Sequence, residues 1–201
     1  MTTCKTIEVA GLASALTALR LPYSKGCNSG VDVSIGRDRD DDDTFLSEIC
    51  IRVDEKDIAL MQTLIQRGDE HAKPLRGIIA WVDITAPIHF WGEVETYGVG
   101  HQRLFSESTM HTEGRGLSGF ALERELQKVS FGREIRKIDW FSYQTLRRIV
   151  VQRCSHRKLD WHTFLDWIAT LPFAQELILV GLEEEWAKHE EMKRKFLEEK
   201  V

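Results

Sequence analysis

The chain has 201 residues, 42% of them hydrophobic and 29% charged. That is enough apolar material to pack a core without disulfide support, and the composition excludes a disordered or membrane-embedded chain. The 32 acidic side chains against 27 lysines and arginines give a net charge of −5, which argues against a general nucleic-acid binder, because such proteins carry a basic surplus to neutralise phosphates.

Cys4, Cys27, Cys50 and Cys154 are scattered without a C-x-x-C pair, so free thiols in a reducing compartment are expected rather than a zinc site. The start, MTTCKTIEVAGLASAL, lacks the basic-then-apolar layout of a signal peptide, and no apolar run reaches membrane-spanning length. A cytoplasmic location is the expectation.

In chain order, TIEVAGL reads as a strand and LASALTALRL as an amphipathic helix that stops before Pro22. The Gly-, Ser- and Asn-rich PYSKGCNSG reads as a solvated connector, with anion binding by its amides as the sharper alternative. VDVSIG and FLSEICIRV alternate like two strands joined by the acidic run at residues 38–43. That run lacks the glycine and closing glutamate of a calcium loop, so it is taken as a solvated charge run.

Asp54 and Gly68 bracket a helix in VDEKDIALMQTLIQRG. LRGIIAWVDITA, apolar and rich in β-branched residues, is expected in the middle of the sheet. Pro87 then suits a helix start. ALERELQKV is helical, and SYQTLRRIVVQRCSHRKLDWHTFLDWIATL is helical with a break near Ser155. AQELILVGLEEEWAKHEEMKRKFLEEK ends as a charged helix that projects into solvent or packs on a partner.

The densest chemistry follows Pro87. A helix there puts Phe90, Trp91, Val94 and Tyr97 on one stripe, which reads as core, and His89, Glu93 and Thr96 on a neighbouring polar face. His89 and Glu93 have the i,i+4 spacing of metal ligands, but no third ligand has suggestive spacing, so no metal is expected. Ser106, Ser108 and His111 follow Gly98 and Gly100 in an extended or turn segment suited to a phosphate, with Arg76, Arg103, Arg148 and Arg153 as candidate partners. No G-x-S-x-G turn supports serine nucleophile chemistry.

The order of these features resembles the flavin-dependent thymidylate synthases over residues 76–168. In that family a strand ending in AP leads to a helix carrying Gln, then R-H-R-x7-S-x-R, and later R-x-x-S-H-A-Q-W-E-I-R. Counted without gaps from Pro87, R-H-R falls on Thr96, Tyr97 and Gly98, S-x-R falls on Ser106, Glu107 and Ser108, and the helix Gln falls on Glu93. Downstream, Arg153, Ser155, His156 and Trp161 match with one extra residue, Asp160 replaces Gln, and His162, Thr163 and Phe164 replace E-I-R. His71 lies too far from Pro87 to match the family's upstream His.

The resemblance implies an α+β fold, a mixed sheet flanked by helices with a long C-terminal helix, in one domain over residues 1–201. Its parts would be N-terminal strands and helices at 1–75, a synthase-like core at 76–168 and the terminal helix at 174–200. It also implies a homo-oligomer, a tetramer by analogy, with sites shared between subunits. The family's arginines grip flavin and nucleotide phosphates as bidentate forks, which Thr or Gly cannot replace.

The expected function is therefore binding, and sequestration, of a nucleotide-like small molecule, with no resident cofactor and no thymidylate synthesis. The ligand-binding candidates are Arg76, Trp91, Glu93, Thr96, Tyr97, Ser106, Ser108, His111 and Arg153. The alternative is an enzyme that modifies a pyrimidine nucleotide with FAD, using Glu93 or His111 as acid or base. A purely structural subunit is the third reading, for which the charged C-terminal helix is the one positive hint.

Overall fold

A computed structural model describes residues 2–21, 32–38 and 46–198. Six strands are present among them: β1 (Thr3–Ala10), β2 (Asp32–Asp38), β3 (Leu46–Arg52), β4 (Ile79–Pro87), β5 (His101–Ser106) and β6 (Glu134–Ser142). The helices are α1 (Leu12–Arg20), α2 (Glu55–Gln66), α3 (Ile88–Val94), α4 (Thr109–Thr112), α5 (Gly119–Leu126), α6 (Tyr143–Arg153), α7 (Leu159–Ala169) and α8 (Glu183–Glu198). The class is α+β as expected, and every ladder of the four-stranded sheet, ordered β1-β4-β6-β5, is antiparallel. β2 and β3 form a separate antiparallel pair. The connector at 22–30 and most of the acidic run at 38–43 lie outside the described residues.

Local chemistry sets most boundaries. Gly11 precedes α1 with a φ of 88°, and any side chain there would collide with the Gly77 carbonyl oxygen, so glycine is required. The Asp54 carboxylate caps α2 by accepting from the Lys56 amide at 2.9 Å, and Gly68, at φ 113°, ends it. Pro87 closes β4 in extended backbone and stands at the cap of α3. Ser142 likewise closes β6 and caps α6, its hydroxyl accepting from the Thr145 amide at 3.2 Å.

β4 lies between β1 and β6, the interior position its composition predicts. Its Ala80, Val82, Ile84 and Ala86 are fully buried on the helix-covered face, while Ile79, Trp81, Asp83 and Thr85 alternate onto a half-buried face. β6 is a strand that sequence periodicity did not indicate. Its inward positions are Ile135, Lys137, Asp139 and Phe141, so two charges stand where apolar alternation demands none.

The core beneath the sheet is aromatic. Phe90 packs on Trp161 with ring centroids 4.8 Å apart, and Phe164 meets Phe141 at 5.5 Å. Trp91 is 2% exposed, and its indole N–H is shared between the carbonyls of Ala86 and Ile135, each at 3.1 Å. One donor thus ties α3 to both β4 and β6. Arg147 acts similarly after α7, donating from Nη1 to the carbonyls of Ile178 and Val180, each at 2.7 Å, at the end of a π-helical turn at Ala174–Ile178.

Trp91→Phe keeps an aromatic side chain but removes the pyrrole half of the indole and its donor, so the Ala86 and Ile135 carbonyls retain only their ladder partners and a small void opens. The expected cost is about 2 kcal/mol, read as a lowered urea midpoint at unchanged slope. A midpoint equal to that of the parent would show that the indole N–H contributes nothing.

Candidate functional site

β4 and β6 deliver α3 and α6 from opposite ends of one ladder, and the two helices bring Glu93 and Arg153 together under the sheet. Glu93 is the centre of a cationic ring. Its carboxylate accepts from Lys158 Nζ, from the Trp161 indole N–H at 2.7 Å and from Arg153 Nη1 at 3.3 Å, and His156 Nε2 lies 3.4 Å away. Arg153 also donates from Nε to the Tyr97 hydroxyl at 2.8 Å and lies over the Trp161 ring at 4.5 Å.

Burial pulls the Glu93 carboxyl upward, but hydrogen bonds from Lys158 and Trp161, with the charges of Lys158 and His156, outweigh it and hold Glu93 below the ordinary carboxylate range. His156 is itself held low, chiefly by burial. Burial also raises the Tyr97 phenol against the opposing pull of Arg153. The ring is therefore two fixed cations around one ionised acid, half sunk in aromatic surface.

A second cluster lies beside it along β5 and β6. The fully buried Asp139 meets His101 Nε2 at 2.7 Å and Arg103 Nε at 3.5 Å, and His101 stacks on Phe141 at 4.3 Å. Arg103 reaches Glu95 at 2.8 Å, and Lys137 reaches the same carboxylate at 3.6 Å. Both cations also face Trp91, Lys137 at 4.5 Å and Arg103 at 5.5 Å. Burial, and then the Arg103 charge, push Lys137 down. Arg103 Nε and Nη2 and Asp139 Oδ1 are buried without a hydrogen-bond partner. Such orphans are costly, and a polar ligand is one way to satisfy them.

The residues anticipated from sequence divide into three places. Glu93, Tyr97 and Arg153 meet in the first cluster, and Trp91 is the core floor between the two clusters. Thr96 turns its hydroxyl back on the Glu93 carbonyl at 2.7 Å and is exposed. Ser106 bonds the Glu107 carbonyl at 3.0 Å, Ser108 opens α4 and His111 is exposed on it. None of the hydrogen bonds among the described residues joins these last three to Glu93. Arg76 precedes β4 and binds Gln144 at 3.0 Å and the Asp69 carbonyl at 3.2 Å, roughly 30 Å of strand from the end where α3 begins. Arg148 pairs with Asp69.

Sequence reasoning did not single out Lys158, His101, Lys137 or Asp139. Lys158 sits inside the S-H-x-K stretch already matched to the synthases, so its signal was present. Lys137 and Asp139 were hidden because β6 does not look like a strand, and His101, on β5, because its carboxylate partner Asp139 lies on that strand.

No family model matches the sequence, and no curated protein matches it. The fold is that of the flavin-dependent thymidylate synthases. Thymidylate synthase X from Helicobacter pylori, solved with FAD and dUMP, superposes with a TM-score of 0.60 at 12% identity, over 92% of this chain and 99% of that one. A second structure of the same enzyme, also complexed with FAD and dUMP, gives 0.56 at 12% identity, over 87% and 97%.

Because the folded Glu93 carboxyl titrates below its unfolded value of about 4.3, its bonds stabilise the fold above that pH. They are lost as pH falls through the folded value. His156 adds a loss of the same sign below about 6.5, since the unfolded chain takes its proton first. Glu93→Gln should be less stable by about 1–2 kcal/mol near neutrality, and the deficit should close as both proteins are acidified. Thermal melts across that range check it; a pH-independent gap would mean the carboxylate charge is not what the cations hold.

Proposed function

We propose that this chain is a non-catalytic binder of a nucleotide-like small molecule, built on a thymidylate synthase fold and not performing thymidylate synthesis. The observation that carries the reading is Glu93. In the cationic ring it supplies from within the protein the negative charge that a ligand phosphate would bring, so Arg153 and Lys158 are already engaged. The fold supports a nucleotide-sized ligand, because the enzymes that share it are solved with dUMP.

On this reading the ligand would draw on Arg103, which has two buried guanidinium nitrogens without a partner, at the boundary of the two clusters. Sequestration of a nucleotide signal is the role that such a site, without a matching catalytic set, would serve. Flavin does not fit as a resident group. Among the described residues of the ring the one guanidinium, Arg153, is spent on Tyr97 and Glu93, and no arginine stands at Thr96, Gly98 or Ser108. Self-association belongs to the same reading. Trp81 and Trp140 pair across the half-buried sheet face beside Ile138, and Phe105 is 71% exposed there, an apolar band suited to a second copy.

The test is to denature protein purified without added ligand, and to analyse the released small molecules by absorbance and mass spectrometry. A nucleotide without flavin supports the reading; stoichiometric flavin overturns it in favour of a flavin-dependent enzyme acting on a pyrimidine nucleotide. Titration with dUMP supplies the second arm. Arg103→Ala is expected to weaken binding by about tenfold, the worth of one charge-assisted contact, and unchanged affinity would move the site away from β5.

A further inference from the structure

α8 is a 16-residue helix with three glutamates in its first turn, and its buried residue is a histidine, His189, at 0% exposure. His189 is buried more deeply than Trp186 and Phe196, the aromatic residues of α8 that also face the body of the protein, so its partners are informative. His189 stacks on His162 of α7 with rings 5.0 Å apart at 9°, and the two Nδ1 atoms approach to 2.8 Å. His162 Nε2 lies 2.7 Å from the His156 carbonyl, and His189 Nε2 lies 3.1 Å from Asp166 Oδ1 and 3.8 Å from Glu190 Oε1.

Counting protons along this chain leaves it one short. The His156 carbonyl can only accept, so His162 Nε2 carries a hydrogen, and a neutral His162 then accepts at Nδ1. His189 must therefore donate from Nδ1, and its Nε2 lone pair is aimed at two carboxylates that also only accept. Three contacts need three N–H groups, and two neutral rings hold two. A third proton or another positive species at Nε2 completes the chain.

We propose that this species is a divalent first-row metal ion, held by His189 Nε2, Asp166 and Glu190 between α7 and α8. The three ligand atoms lie within 4.8 Å of one another. Metal–ligand bonds of about 2.0–2.2 Å in a tetrahedral shell put donor atoms about 3.4 Å apart, between the 3.1 Å and 3.8 Å separations of Nε2 from the two carboxylates. The donor set of one imidazole and two carboxylates suits zinc or manganese.

The remaining ring nitrogen is arranged as metal-bound histidines require. His189 Nδ1–H is fixed by His162, which is fixed in turn by a backbone carbonyl. Both carboxylates face solvent, so an ion can enter and keep a water ligand. Lys193 Nζ now lies 2.8 Å from Asp166 Oδ1, on a partly exposed stem. It occupies the cation's place at that oxygen and would be displaced. Asp69, Glu183 and Glu185 stand around Arg147 and do not enter the set.

The test uses untagged full-length protein, stripped with a chelator and titrated with zinc chloride by calorimetry, with melts run in parallel. One zinc per chain and a zinc-dependent rise in melting midpoint are expected. Asp166→Asn and Glu190→Gln, both at solvent-facing positions that leave the core intact, should each weaken zinc by more than about tenfold, the lower bound usual for outer-shell partners. Glu191→Gln, whose carboxylate is paired with Lys195 at 2.6 Å, should leave affinity unchanged, and Lys193→Met should tighten it. No stoichiometric zinc, or zinc indifferent to both ligand substitutions, overturns the proposal. A melt that responds to pH through Asp166 but not to zinc overturns it too, and assigns the missing charge to a proton.

Discussion

The β4·β6 ladder is the constraint on which the rest hangs. It runs unbroken from the Ile79–Ser142 pair to the Pro87–Glu134 pair, about 30 Å of paired strand. Because the pairing is antiparallel, the helices that continue the two strands leave from opposite ends and run toward each other across one face. α3 has seven residues and α6 eleven, together about 27 Å of helix, nearly the ladder's length. Their far ends therefore meet, which is why Glu93 and Arg153, sixty residues apart, share a hydrogen bond.

That convergence also decides what kind of electrostatics the site has. Two helix ends and an aromatic floor exclude much of the water that would screen a charge, so an unpaired Arg153 or Lys158 there would be costly. The chain resolves this internally with Glu93. In the neighbouring cluster the compensation is incomplete: Asp139 and Arg103 stand 3.5 Å apart with polar atoms unmatched on both. A fully satisfied cluster contributes order, while an unsatisfied one costs stability unless a guest completes it. The two groups thus differ in how completely their charges are matched, not in which residue types they hold.

Much of this was legible in the sequence. Pro87 announced a helix, Asp54 and Gly68 bracketed another, and the Phe90, Trp91, Val94 stripe is buried as its spacing requires. Those features follow from single-residue chemistry or from a regular period. β6 was not legible, because Lys137 and Asp139 occupy the inward parity and erase the alternation by which a strand is recognised. Local rules are broken most readily where a protein holds polar groups inside, so the unreadable strand and the unsatisfied cluster have the same cause. Arg76 shows the reverse limit. Its residue type suited a phosphate, but the strand expected over LRGIIAWVDITA already sets it a full strand length from the helix that Pro87 starts, so residue type alone was the wrong guide.

The terminal helix extends the same logic. α8 is mostly charged, and its apolar hold on the body of the protein is Trp186, packed against the core, and Phe196, whose ring lies 5.4 Å from that of His162. Its polar attachment passes through the two stacked imidazoles to the His156 carbonyl. His156 and Lys158, two residues on, both border Glu93. The helix and the cationic ring thus share one turn of chain between α6 and α7. Anything that tightens α8 against α7 restrains the residues that hold Glu93, and anything that frees Glu93 loosens the turn on which the helix is fastened. The coupling requires no long pathway, because the two sites are opposite sides of a single five-residue connection.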